Sequence, residues 1–140
     1  MIRSLFAIVA IAFAVAACDQ SPQVASPAPP PMKYWMVFFD LNSAAITPKG
    51  AQTVTEAATI AKGMPNSRVT VSGYTDTDGP PAYNLALSLK RANAVKDALV
   101  SNGVSPASIT VSGRGEEGLL VATPDNVKME SNRRVQIVIQ

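Results

Sequence analysis

The chain has 140 residues, 47% of them hydrophobic and 16% charged, with a net charge of +2, one cysteine and no histidine. That length fits one domain, and its scattered Lys and Arg argue against nucleic acid, whose phosphates call for clustered cations. Having no His removes the commonest general base, the commonest metal ligand and the usual triad partner, and a lone Cys excludes an internal disulfide.

The chain opens with Arg3 and an unbroken apolar run from Leu5 to Ala17. This reads as a signal peptide over residues 1–17, since a comfortable membrane span takes roughly 20 apolar residues. Val15-Ala16-Ala17-Cys18 resembles the lipobox of bacterial lipoproteins, which implies lipidation of Cys18. Several buried acyl chains, at about 0.8 kcal/mol per CH₂, hold a protein durably on a membrane. Residues 18–33 then form a tether, because Asp19 to Pro31 is Ser, Pro, Ala and Gln with almost nothing to bury. In polyproline II, at about 3.1 Å per residue, it reaches roughly 40 Å.

The folded domain is expected over residues 34–140. Tyr34 to Phe39 reads as a buried first strand. Thr47-Pro48 is an N-cap and N1 pair for a helix whose buried stripe is Val54, Ala57, Ala58 and Ala61, stopped by Gly63 and Pro65. Val69-Thr70-Val71-Ser72-Gly73 and Ile109-Thr110-Val111-Ser112-Gly113 form matching strands, each ending in Gly. Between them, Ser88 is expected to cap a helix burying Ala92, Val95, Ala98 and Leu99 and closed by Gly103. Val135, Ile137 and Ile139 alternate along a C-terminal strand. Strands separated by helices predict an α/β (α+β) fold, a mixed sheet with helices packed on it.

The segment from Gly73 to Ala92 is the most informative. A helix starting at Ser88 puts Lys90 and Arg91 in its first turn, where the helix dipole favours anions. A local conflict of this kind marks functional or strained sites. Something negative is expected opposite Arg91, either Asp76 or part of a ligand.

Thr75-Asp76-x-x-Gly79, Tyr83-Asn84, Leu87-Ser88-x-x-Arg91-Ala92, Gly113-x-Gly115-Glu116 and Asn132-Arg133-Arg134-Val135 resemble, in order and spacing, the OmpA-like C-terminal domain. Phe39-Asp40 and Ser43 resemble its opening strand and turn. With the lipobox, the layout is similar to that of the peptidoglycan-associated lipoproteins. The resemblance implies a four-stranded mixed sheet in the order β-α-β-α-β…β, helices on one face, and non-covalent binding of peptidoglycan through a diaminopimelate-type stem peptide. It places the key acid on Asp76 and the key base on Arg91. The carboxylate would take the ligand's ammonium and the guanidinium its carboxylate. Thr75 and Asn84 are expected neighbours, Asp40 to Asn42 line the rim, and Arg134 supplies a second cation, though either Arg133 or Arg134 can face the site. Tyr74 departs from the pattern, standing where many members have His. Whether Asp76 and Arg91 pair without ligand is open.

Rival chemistries lack their residues. There is no Gly-x-Ser-x-Gly elbow, and Asp76-x-Asp78-Gly79 has its Gly too early and no distal Glu for a calcium loop. The expectation is a non-catalytic lipoprotein without metal or cofactor, joining membrane to cell wall, with envelope proteins as possible partners; the alternative is a protein-docking adaptor of the envelope in which peptidoglycan binding is secondary. The outer membrane, facing the periplasm, is favoured. Asp19 resembles the signal that retains some lipoproteins in the inner membrane, so that location stays open.

Overall fold

A computed structural model describes residues 24–140. The signal peptide, Cys18 and the first residues of the tether lie outside them. Residues 24–32 are exposed and carry neither helix nor strand.

Eight elements follow in chain order: β1 (Lys33–Phe38), α1 (Pro48–Gly63), β2 (Val69–Gly73), α2 (Pro81–Ser101), a short 3-10 turn (Pro106–Ser108), β3 (Ile109–Gly113), a second such turn (Glu130–Asn132) and β4 (Arg134–Ile139). One sheet has the order β1-β4-β2-β3. Strand β4 lies antiparallel to both β1 and β2, and β2 runs parallel to β3 through the α2 crossover. The expected mixed sheet with helices is present, in the expected sequence of elements.

Alternation fixes the faces. Val37, Val69, Val71, Val135, Ile137 and Ile139 point to the helices and are almost fully buried, against Val54, Ala57 and Ala58 of α1 and Ala92, Val95 and Leu99 of α2. Thr47 Oγ1 accepts from the Gly50 N–H at 3.1 Å, with Pro48 following, so α1 starts where its cap and N1 proline dictate.

Two expectations need correction. The β1 segment is an edge strand rather than a buried one. Tyr34 is 64% and Phe38 39% exposed, because the helices cover only the other face. More consequential is α2, which begins at Pro81 and not at Ser88. Pro80 sits at the cap position and Pro81 at N1, so the helix has run more than two turns before Arg91. Ser88 is instead an interior residue whose Oγ donates to the Leu85 carbonyl (2.7 Å) and accepts from the Gly115 N–H (2.8 Å).

Candidate functional site

The topology gathers chemistry at one end of the sheet. Asp40 follows β1, Thr75 and Asp76 follow β2, Glu116 follows β3, and Arg133 immediately precedes antiparallel β4. In open sheets of this kind, ligands bind in the crevice outside the strand ends. From above, α2 adds Asn84 and Arg91.

Arg91 is fully buried, the largest such side chain among the described residues. Since it lies mid-helix, the helix N-terminus supplies it with no anion-binding N–H groups, and the electrostatic conflict expected from a first-turn position is absent. What surrounds the guanidinium is carbonyl oxygen. Nε donates to Ser43 O (2.8 Å), Nη1 to Tyr74 O (3.1 Å) and Nη2 to Asp40 O (3.0 Å). It thereby ties the β1–α1 turn to the end of β2. The guanidinium carbon lies 5.3 Å from the Phe39 ring centroid, adding a cation–π contact. Burial foremost, with Arg133 adding to it and Asp76 opposing both, lowers its pKa to about 10.

Asp76 does not hydrogen-bond Arg91. Its ion-pair partner is Arg133, whose Nη1 lies 3.2 Å from Asp76 Oδ2. The same oxygen accepts from the Met129 N–H (3.1 Å), and Oδ1 accepts from the Asp78 N–H (3.3 Å). Arg133 is held at its other end by Nε donating to Phe39 O (3.1 Å). Two guanidiniums and one carboxylate thus form one electrostatic cluster with a surplus positive charge.

Arg134 lies elsewhere. It shares the sheet face away from the helices with Gln136 and Val138, its guanidinium 4.1 Å from the Tyr74 ring centroid and Nη2 donating to Gly118 O at 3.0 Å. Burial lowers its pKa, with Tyr74 opposing. So Tyr74 supports Arg134, and Arg133 is the arginine of the motif that meets Asp76. Strand phase contains that answer: counting back by twos from Ile137 and Val135 puts Arg133, not Arg134, on the helix side.

The remaining expected residues are all nearby. Asn84 is buried, and its Nδ2 lies within hydrogen-bond range of Asp76 O (3.3 Å), Asp78 O (3.1 Å) and Glu116 Oε2 (3.3 Å), bracing the turn after β2. Thr75 is 1% exposed and its Oγ1 has no partner among the described residues, a polar atom that a ligand or ordered water would satisfy. Asp40 contributes its carbonyl to Arg91, while its side chain borders a cavity of about 160 Å³ shared with Phe39, Lys49 and Glu130. No cluster of metal-ligating side chains occurs among the described residues.

A family model described as the OmpA family matches residues 38–133, most of the chain. The chain belongs to the OmpA family. Among relatives of this OmpA-family domain, a probable lipoprotein YiaD of Escherichia coli K12 is 37% identical over 103 residues, 74% of this chain and 47% of the relative. A peptidoglycan-binding protein ArfA of Mycobacterium bovis is 33% identical over 74% of this chain and 32% of its own length. The chain therefore spans less than half of either relative. The peptidoglycan-associated lipoprotein of Burkholderia pseudomallei has a similar structure, with a TM-score of 0.69 and 32% identity, covering 75% of this chain and 89% of that one.

Proposed function

We propose that this OmpA-family protein binds peptidoglycan non-covalently, as a lipid-anchored link between membrane and cell wall. The observation that carries the reading is the positively charged cluster of Arg91, Arg133 and Asp76 at the strand ends. A binding site for a zwitterionic side chain needs both signs of charge, held apart and desolvated. Diaminopimelate in a stem peptide has an ammonium for Asp76 and a carboxylate for the cationic side. The unpartnered Thr75 hydroxyl adds a hydrogen-bonding group. Names of relatives support the ligand class, since one is called peptidoglycan-binding and another peptidoglycan-associated.

Arg91 is buried, and the Asp40 and Ser43 carbonyls that accept from it flank the turn at Leu41 and Asn42, so movement of that turn is one route by which a carboxylate could reach it. That turn is exposed, and Asn42 has φ 52°. The role is binding rather than catalysis. Cys18 is the proposed lipid attachment point, with residues 18–32 as tether and the binding domain opening at Lys33, the first residue of β1. Outer-membrane attachment facing the periplasm fits relatives named outer membrane proteins.

Co-sedimentation of the detergent-solubilised full-length chain with purified sacculi tests this. Wild type should pellet, while Asp76→Ala and Arg91→Lys should stay mostly in the supernatant. Variants that remain folded by circular dichroism and still pellet would refute the site. A wild-type chain that never pellets would refute the function.

A further inference from the structure

The Asp76–Arg133 contact is built unlike a permanent structural ion pair. It is a single contact at 3.2 Å, longer than the roughly 2.7–2.9 Å of strong charge-assisted hydrogen bonds, and it uses one guanidinium nitrogen instead of the two-point fork. Arg133 is the outer member: its side chain is 14% exposed against 4% for Asp76. A cation arriving from solvent therefore meets Arg133 before Asp76.

The two ends of Arg133 are secured differently. Nε is fastened to the Phe39 carbonyl, which fixes the stem of the guanidinium. Only the Nη end rests on Asp76. Asp76 in turn does not depend on Arg133 for its orientation. The Asp78 and Met129 N–H groups hold one carboxylate oxygen each and would keep it aimed if Arg133 swung away.

We infer that Arg133 is a stand-in for the ligand's cation, displaced from Asp76 on binding and thereby freed to take the ligand's carboxylate. This rests on the stem-peptide reading above. Charge balance gives the inference its consequence. Adding an ammonium beside two guanidiniums and one carboxylate is repulsive unless one cation leaves. When the incoming group brings its own carboxylate, the displaced Arg133 gains a partner, and every new charge is paired. When the incoming group is an amine alone, as in a lysine-containing stem, three cations share one carboxylate and Arg133 is left without an anion. Arg133 thus acts as a selectivity residue, one that penalises lysine and rewards diaminopimelate.

The experiment uses the full-length protein bound to sacculi and two soluble competitors, L-Ala-γ-D-Glu-X-D-Ala tetrapeptides with meso-diaminopimelate or L-lysine at X, in which the α-carboxyl of X is tied up as an amide and only diaminopimelate brings a side-chain carboxylate. For wild type, the diaminopimelate peptide should displace the protein at about tenfold lower concentration or better, the worth of one charge-assisted contact. In Arg133→Gln, the lysine peptide should become a better competitor and the diaminopimelate peptide a worse one, closing the gap to about threefold or less. An equal loss for both peptides would assign Arg133 a structural role, and an unchanged gap would assign it none in selection. Either result overturns the inference. Should Arg133→Gln fail to fold, Arg133→Lys decides: it keeps the competing charge without the fork, so the diaminopimelate peptide should weaken while the lysine peptide stays poor. An Arg133→Lys protein that prefers diaminopimelate as strongly as wild type overturns the inference as well. Failure of the wild-type protein to bind sacculi at all would instead remove the function on which this stands.

Discussion

A guanidinium enclosed by carbonyl oxygens, as Arg91 is, joins three backbone segments that are far apart in sequence. Truncating it leaves those oxygens unpaired in a desolvated space and opens a cavity. Arg91→Ala should therefore lose about 3–5 kcal/mol of stability, read as a lowered urea midpoint at unchanged slope. The charge itself is a burden, as its depressed pKa of about 10 shows. For a base lowered on folding, the unfolded chain holds the extra proton between the folded pKa and the ordinary arginine value. The cost is full below pH 10 and is relieved as pH rises through it. Relative to Arg91→Met, wild type should gain stability from pH 10 upward, and a flat difference between the two would contradict that. Sequence alone located Asp76 and Arg91 at one site but not their partners. Backbone carbonyls leave no trace in a list of side chains, and the Asp76–Arg133 pairing depends on strand phase.

Helix α2 carries the main lesson at the scale of elements. Its apolar stripe from Ala92 to Leu99 was legible, and its start was not, because Ser88 is a good capping residue that here is occupied inside the helix. The overlooked signal was Pro80-Pro81, where the second proline meets the first-turn preference. The glycines ending β2 and β3 explain how closely this helix lies. A Cβ on Gly73 would stand 1.9 Å from the Ser88 carbonyl oxygen, and one on Gly113 2.9 Å from the Leu89 nitrogen. Gly73→Ala must push α2 and Arg91 away from the sheet. It should cost at least the roughly 1–3 kcal/mol of overpacking and weaken sacculus binding with it. By contrast, nothing lies within 4 Å of a Cβ on Gly63, at the end of α1. Gly63→Ala should be neutral or stabilise by up to about 1 kcal/mol, and thermal melts of the two variants side by side separate the cases.

Across the whole molecule, the candidate site and the tether leave from opposite ends. Asp40, Asp76 and Arg133 lie where β1 and β2 finish and β4 begins, whereas Lys33, Val69, Ile109 and Ile139 line up at the far end. Chain order and alternation made this layered arrangement legible in the sequence, since the helices after β1 and β2 each return the chain to the far end. The pairing of the first strand with the last was not legible, as no local signal links segments a hundred residues apart. That pairing has a mechanical consequence. A pull on the N-terminal side of Lys33, resisted by a ligand gripped near Arg133, runs along β1 and β4 in opposite directions. All six register pairs, from Lys33↔Ile139 to Phe38↔Arg134, would then bear the load together in shear. Peeling would instead strain them singly, so the edge strand next to the tether is also the strand arranged to withstand tension.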